Sequence, residues 1–167
     1  MSVADLKKTL EIARKAILEN GSIGDQADYE AIASKTLLIA AAGELERDIT
    51  QVLLKLGERY QIPEFLNEFI RKQALERRYH AMFDWNSSNI NRFTSLFGKE
   101  KGAAIKAAIA DDLIVKHFIF IGSERNKIVH KGLSYASLDN TFNEIWVKYE
   151  YASQLPIIID QVFKNTP

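Results

Sequence analysis

An arginine near the end of one predicted helix occupies a position where an apolar residue would be expected. With about 100° of rotation per residue, Arg125 falls on the same stripe as Ile121 and Ile128 in the stretch IFIGSERNKIVHKGL. A guanidinium keeps its charge at physiological pH, so a partly buried one needs an anionic partner. That partner can be a carboxylate of the protein or the phosphate of a bound molecule.

Three polar side chains share the neighbouring face of the same predicted helix. They are Ser123, Asn126 and His130, at spacings of three and four residues. Imidazole titrates near neutral pH, so it can take a proton from one oxygen and give a proton to another. A fixed arginine stabilises the charge that develops on a phosphoryl group, and an asparagine can orient the phosphate or the imidazole. The set suits metal-free RNA cleavage, in which the 2′-hydroxyl attacks the phosphate.

The bulk composition narrows the classes of protein to which the chain can belong. Its 167 residues suit one domain, which we expect to span residues 1–167. The 22 basic and 22 acidic residues argue against coating nucleic acid through bulk charge, although a local cleft can still gather phosphates. The absence of cysteine excludes disulfides and thiolate metal sites. His80 and His117 lack metal-ligand spacing, so we expect no metal and no cofactor.

The apolar pattern predicts an all-α protein. It repeats with the helical period along most of the chain, and no segment alternates over strand length. We therefore predict a bundle of four or five main helices with short extra helices. The predicted helices cover residues 3–19, 28–58, 64–82, a short segment capped at 86–88 and ending at 97, then 102–110, 111–130 and 138 onward. Residues 20–27 and 133–137 are predicted loops, Ser137 is the predicted cap of the last helix, and Pro156 should kink or divide that helix.

The sequence also lacks the marks of export or of membrane insertion. The segment MSVADLKKTLEIARK has no long apolar core and no small-residue cleavage site. The longest apolar runs, such as LLIAAA at 37–42, are too short to cross a bilayer. We therefore expect a cytoplasmic protein.

The segment Arg125–His130, RNKIVH, resembles the Arg–polar–x–x–x–His signature of the HEPN family. Its place near the end of a late helix, before Gly132, is also similar to that family. The surroundings resemble the RiboL-PSP branch, through Leu45-Glu46 in an early helix and the segment NINRFTSLFG at 89–98. The resemblance covers roughly residues 30–165.

This resemblance implies an all-α, HEPN-like, metal-independent endoribonuclease that leaves a 2′,3′-cyclic phosphate. It implies a homodimer in which two copies of the motif face one cleft. Arg125 and His130 would be the catalytic pair, Asn126 the polar partner, and Glu46 the acid that holds Arg125. Many family members act in toxin–antitoxin or antiphage systems with a regulatory partner. Others have lost activity and bind a protein or a nucleotide.

Structural interpretations of the same residues stay open. Arg125 can form an ion pair with Glu46 and do nothing more. His130 can cap the helix by bonding its last carbonyls. Glu44 lies on the same helix as Glu46 and is the alternative partner of Arg125.

Other polar and aromatic side chains admit two interpretations each. Lys127 and Lys131 flank His130 and can bind RNA or simply be exposed, and Ser123 is a supporting polar group. A basic run is either a solvated face or a track for an RNA backbone: Arg71, Lys72, Arg77 and Arg78. Four aromatic residues are expected in the core rather than as platforms for bases: Trp85, Phe93, Phe97 and Trp146.

Overall fold

The computed structural model describes residues 1–75, 78–134 and 136–165, and the regular structure in these ranges is helical throughout. The α-helices are α1 (Val3–Asn20), α2 (Ile23–Arg59), α3 (Glu64–Ile70), α4 (Asn91–Ser95), α5 (Gly98–Ala108), α6 (Asp112–Lys131), α7 (Phe142–Ala152) and α8 (Gln154–Asn165). The predicted all-α class is therefore confirmed. No helix in the described ranges is both long enough and apolar enough to cross a membrane.

The chain divides into two compact units. Unit 1 comprises Met1–Glu44 and Ile121–Glu150, and unit 2 comprises Leu45–Phe120 and Tyr151–Pro167. The boundaries fall inside α2, α6 and α7, so each of these helices contributes to both units. The single domain over residues 1–167 stays a prediction.

Side-chain caps begin the first two helices of unit 1. At α1, Asp5 N donates to Ser2 Oγ (3.2 Å) and Ser2 N donates to Asp5 Oδ2 (3.0 Å). Ser22 and Asp25 repeat this arrangement at α2, at 3.2 and 2.9 Å. The predicted loop over 20–27 is therefore wrong beyond residue 22. Two glycines suggested a loop, but the reciprocal cap satisfies N–H groups that would otherwise be free at a helix start.

The start of α7 also differs from the prediction. Thr141 N donates to Glu144 Oε2 (2.8 Å), and Glu144 N donates to Thr141 Oγ1 (3.3 Å). The helix therefore begins at Phe142, and the prediction that Ser137 caps a helix from 138 is wrong. The reciprocal pair at Thr141 satisfies more of the first-turn N–H groups than a single serine can.

Pro156 divides the C-terminal helical segment, as predicted. Because α7 ends at Ala152 and α8 begins at Gln154, Pro156 lies in the first turn of α8. A proline there removes no hydrogen bond from the helix, since first-turn N–H groups have no partner within it.

The interior of unit 1 is apolar, and two glutamates of α2 hydrogen-bond its other segments. Glu30 accepts from Arg14 Nε (2.9 Å) and from Phe142 N (3.1 Å). Glu44 accepts from Val3 N and from Tyr149 Oη, both at 2.9 Å. The buried apolar side chains include Ala33, Leu37, Leu38, Ala41, Ile121, Ile128 and Ile145.

Unit 2 has an aromatic core. Phe83 stacks on Phe93 with ring centroids 4.8 Å apart and contacts Phe118 at 4.9 Å. Trp85 is half-buried, and its Nε1 donates to the carbonyl of His80 (2.8 Å). The core position predicted for Phe93 is confirmed, whereas Phe97 and Trp146 are, like Trp85, half-buried.

The predicted helix over 64–82 is interrupted. Beyond α3 the chain forms a π-helical turn, Arg71–Leu75, and later a 3₁₀ turn, Tyr79–Met82. Arg71 and Lys72 pair with Glu68, at 2.6 and 3.8 Å. Arg77 of the basic run lies outside the described residues. The pairing favours a solvated face over an RNA track for this part of the run.

The helices between the 3₁₀ turn and α6 begin at other residues than predicted. Residues 86–88 do not cap a helix. Ser87 Oγ lies in a turn, 2.8 Å from the carbonyl oxygens of both Asp84 and Asn89. Helix α4 therefore starts only at Asn91. Gly98, predicted to end that helix, has φ 74° and instead begins α5. The helix predicted over 102–110 therefore starts at Gly98, four residues before its predicted start.

Candidate active site

Helix α6 carries six of the predicted site residues near its C-terminal end: Ser123, Arg125, Asn126, Lys127, His130 and Lys131. Asp111 Oδ1 accepts from Leu113 N (2.8 Å) at its start. At its end, Gly132 N donates to the carbonyl of Ile128 (2.8 Å), and Gly132 has a φ of 86°. A positive φ suits glycine because other residues meet a steric penalty there. The predicted end of this helix is therefore confirmed, and the motif lies in its last two turns within unit 1.

Arg125 lies between two core positions of α6. Ile121 and Ile128 are fully or almost fully buried, and Arg125 is half-buried beside them. Its Nη1 donates to Oδ1 of Asn126 (3.2 Å). Within the described part of unit 1, no carboxylate pairs with Arg125. The guanidinium has five N–H donors in a fixed fork, so most of them stay available for an anion.

His130 is exposed in the last turn of α6, and Asn126 precedes it by one turn. Four residues of helix correspond to about 6 Å of rise and about 40° of rotation. Ser123 and Asn126 are half-buried on the same face. Asn126 therefore bonds Arg125 and lies one turn before His130 on the same face of the helix.

The two flanking lysines differ in their surroundings. Lys127 Nζ lies 2.6 Å from Oε1 of Glu124, whose side chain is only 14% exposed. This pair offsets the charge of Lys127. Lys131 is exposed and forms no ion pair with any described residue. Of the two, Lys131 is the cation that can offer its full charge to a phosphate.

The two candidate acids of α2, Glu44 and Glu46, lie in different units and have different partners. Glu44, in unit 1, is occupied by the Val3 amide and the Tyr149 hydroxyl. Glu46, in unit 2, has its Oε2 3.8 Å from Nε2 of His80. The pairing of Glu46 with Arg125 would join the two units and stays a prediction.

Lys35 is a polar contact of this region that the sequence did not reveal. Its Nζ donates to the carbonyl of Leu133 (3.0 Å), three residues after His130. The bond fixes the chain that leaves α6. No local signal announces it, because the two residues lie 98 positions apart.

No group of three histidine, aspartate or glutamate side chains that could hold a metal ion occurs among the residues the structure describes. In comparisons with known proteins, no family model, curated protein or solved structure matches the chain.

Proposed function

We propose that this protein is a metal-independent endoribonuclease whose active site is formed by Arg125, Asn126 and His130. One observation carries the proposal. A half-buried guanidinium, held by the neighbouring amide at 3.2 Å, shares a helix end with an exposed imidazole. The resemblance of residues 125–130 to the HEPN signature supports the same assignment.

The reaction needs one proton to leave and one to arrive. Neutral His130 takes the proton of the 2′-hydroxyl as O2′ forms a bond to phosphorus. The bond from phosphorus to O5′ breaks, and O5′ receives a proton from an imidazolium. The products are a 2′,3′-cyclic phosphate and a free 5′-hydroxyl. A single imidazole can perform the two transfers in sequence, whereas two copies of the chain can divide them.

Arg125 stabilises the extra negative charge on the two non-bridging oxygens through forked hydrogen bonds. The bond to Asn126 restricts the rotation of the guanidinium, so less conformational entropy is lost when a phosphate binds. Lys131 adds positive potential at the same helix end. Ser123 supports the polar face one turn before Asn126.

A homodimer is part of the proposal, and an apolar surface beside the motif supports it. Val129, in the last turn of α6, and Leu133, just after its end, are both exposed. On α2, exposed Ile32 and Ile39 flank Lys35, whose amine reaches the Leu133 carbonyl. A second copy packed on this surface would bury these side chains and bring two copies of His130 to one cleft.

The decisive test is RNA cleavage by the purified full chain. Transfer RNA and messenger RNA are incubated with protein in EDTA, and the fragments are tested for 2′,3′-cyclic phosphate ends. We expect His130→Ala and Arg125→Ala each to lower the rate by at least about a hundredfold, because each removes a group acting in the transition state. Full cleavage by both variants would reject the assignment.

Matched controls use the same residue types outside the motif. His117→Ala removes a half-buried histidine of unit 2 that contacts Tyr151, and Arg92→Ala removes an exposed arginine of α4. Both should cleave at the wild-type rate. Substrate made with 2′-O-methyl ribose should resist every variant, because it lacks the attacking hydroxyl.

The cellular role we propose is that of a toxin or antiphage effector acting on cytoplasmic RNA, held in check by an antitoxin or another defence-system protein. Expression of the wild type should then stop growth, and expression of His130→Ala should not. Equal growth with both proteins would contradict this role.

A second candidate is a non-catalytic HEPN module that binds a protein partner or a nucleotide. One observation favours it: Glu124 compensates the charge of Lys127, which lowers the positive potential offered to a phosphate. Under this alternative, pure wild-type protein leaves RNA intact, and Val129→Asp weakens partner binding more than His130→Ala does.

A further inference from the structure

Two adjoining cavities of unit 2 form a groove along α5. One has a volume of about 430 Å³ and lies between α4 and α5. The other, of about 280 Å³, extends to the start of α6. Asn91 and Lys106 line both cavities, so the two are continuous. The whole groove belongs to unit 2.

The groove is positively charged. Lys99 and Lys106 line the first cavity, and Lys106 and Lys116 line the second. Asp112 is the one acidic residue of the two linings, so three ammonium groups face one carboxylate. None of the three lysines forms an ion pair within the described residues. Their charge is therefore available to an anion, in a protein whose net charge is zero.

The shape suits a chain of phosphates better than a single one. Lys99 and Lys106 are seven residues apart on α5, which is two helical turns, or about 10 Å along one face. Gly102 and Ala103 lie between them along the helix and line the first cavity. A Cβ added at Gly102 would lie 2.5 Å from the carbonyl oxygen of Thr94, so α4 and α5 are in close contact there. Two cations on either side of these small residues can contact two phosphates of one strand.

The polar groups of the lining favour contact with a backbone over recognition of bases. Asn91 offers an amide that can donate to phosphate oxygens. The Ser95 hydroxyl donates to the carbonyl of Arg92 (2.7 Å), so it can only accept, for example from a sugar hydroxyl. Neither lining contains an aromatic side chain, whereas recognition of unpaired bases commonly relies on aromatic stacking.

We propose that the groove along α5 binds the phosphodiester backbone of single-stranded RNA, independently of base sequence. The choice of RNA rests on the function proposed above. A free nucleotide shares the same phosphate chemistry and is the competing occupant. The groove then serves as a substrate-holding site in addition to the motif at the end of α6.

Binding is measured by fluorescence anisotropy with a labelled single-stranded 2′-O-methyl oligonucleotide, which cannot be cleaved through its 2′-oxygen. We expect the double variant Lys99→Ala/Lys106→Ala to bind about tenfold more weakly at low salt. Each phosphate contact contributes about 0.7 to the slope of log K against log salt for single strands. The slope should therefore fall by about 1.4 when two contacts are lost.

The matched control is Lys8→Ala/Lys15→Ala. These lysines are also seven residues apart on one helix, are exposed, and belong to unit 1. The control removes the same charge but from outside the groove. It should therefore bind the oligonucleotide within about twofold of the wild type. Equal loss in the two double variants, an unchanged salt slope, or no binding by the wild type at low salt would overturn the proposal.

A second pair of variants keeps every lysine. Ala103→Glu places a carboxylate in the groove, whereas Ala108→Glu adds the same charge to α5 at a position outside both linings. Ala103→Glu should weaken binding several-fold, and Ala108→Glu should leave it nearly unchanged. Inorganic triphosphate, tested by competition, identifies a small-anion site. If Lys99→Ala/Lys106→Ala loses triphosphate binding and retains the oligonucleotide, the proposal is wrong.

The failure of this inference can be told apart from the failure of the proposed function. The 2′-O-methyl oligonucleotide is bound without being cleaved, so its binding reports on the groove whether or not the motif is active. A wild type that binds through Lys99 and Lys106 but leaves ordinary RNA intact would reject the nuclease and retain the groove. If cleavage depends on His130 but the groove variants bind RNA normally, the nuclease is retained and the groove is rejected.

Discussion

Replacing Asp160 by asparagine should destabilise unit 2 by an amount that depends on pH. Asp160 Oδ1 accepts from Arg59 Nη2 (3.1 Å), and its Oδ2 lies 2.5 Å from Lys164 Nζ. The carboxylate side chain is 17% exposed, that of Arg59 24% and that of Lys164 58%. The ion pair with Arg59 joins the C-terminal end of α2 to α8.

The magnitude follows from these exposures. A protected hydrogen bond to a charged group contributes about 1.5–3 kcal/mol, and an exposed ion pair contributes about 0–1 kcal/mol. The contact with Arg59 belongs near the lower end of the first range, and the contact with Lys164 belongs to the second. Asparagine keeps one acceptor oxygen, so we expect a loss of about 1–2 kcal/mol at pH 7. For a chain of this size the corresponding fall in Tm is about 2–8 °C.

The pH dependence follows from the same contacts. The hydrogen bond from Lys164, and after it the bond and charge of Arg59, hold the pKa of Asp160 below its usual value, although burial opposes the shift. A carboxyl with a lowered pKa binds fewer protons in the folded state, so its stabilising contribution is present at neutral pH. That contribution disappears as the pH falls through the folded-state pKa.

The assay is urea unfolding of wild type and Asp160→Asn at neutral pH and at about pH 3, below the ordinary pKa of an aspartate. The difference in the free energy of unfolding should shrink toward zero in acid. Asp48→Asn is the control, because that carboxylate pairs with the adjacent Arg47 in an exposed position. A difference of the same size at both pH values, or an Asp160→Asn protein as stable as the wild type, would refute the reasoning.

Three further substitutions test the packing and the site. Gly102→Ala should lower the free energy of unfolding by about 1–3 kcal/mol in a urea titration, because the new Cβ would lie 2.5 Å from the Thr94 carbonyl oxygen. Gly43→Ala should instead raise it by about 0.5–1 kcal/mol, since Gly43 is in the interior of α2 with open space around it; a loss of stability would contradict this. Asn126→Ala should lower the rate of RNA cleavage by about tenfold, because Arg125 loses the bond that orients it; an unchanged rate would remove Asn126 from the site.

The starts of α2 and α7 are marked by signals that are local in the sequence. The pairs Ser22 with Asp25 and Thr141 with Glu144 are capping boxes with the expected spacing. These pairs, and not the nearby glycines or Ser137, decide where α2 and α7 begin, because each satisfies two N–H groups at the helix start. The interruption after α3, where the π-helical turn Arg71–Leu75 begins, has no such local signal.

The position of Arg125 among buried isoleucines followed from spacing alone, and the structure bears out that part of the reasoning. Its bond to Asn126 joins neighbouring residues and follows from the same stretch of sequence. The partners of the acids on α2 did not follow. Glu44 bonds groups 41 and 105 positions away, and no helical period relates such residues.

The sequence by itself determined the helical class, the end of α6 at Gly132 and the grouping of Arg125, Asn126 and His130 on one helix end. Each depends on interactions within a few turns of one helix, where periodicity, capping and the conformational freedom of glycine decide the outcome. Only the tertiary structure decided that Lys35 bonds the Leu133 carbonyl, and that Lys99, Lys106 and Lys116 line one groove. These arrangements depend on how separate helices pack, and packing is set by side-chain shapes far apart along the chain.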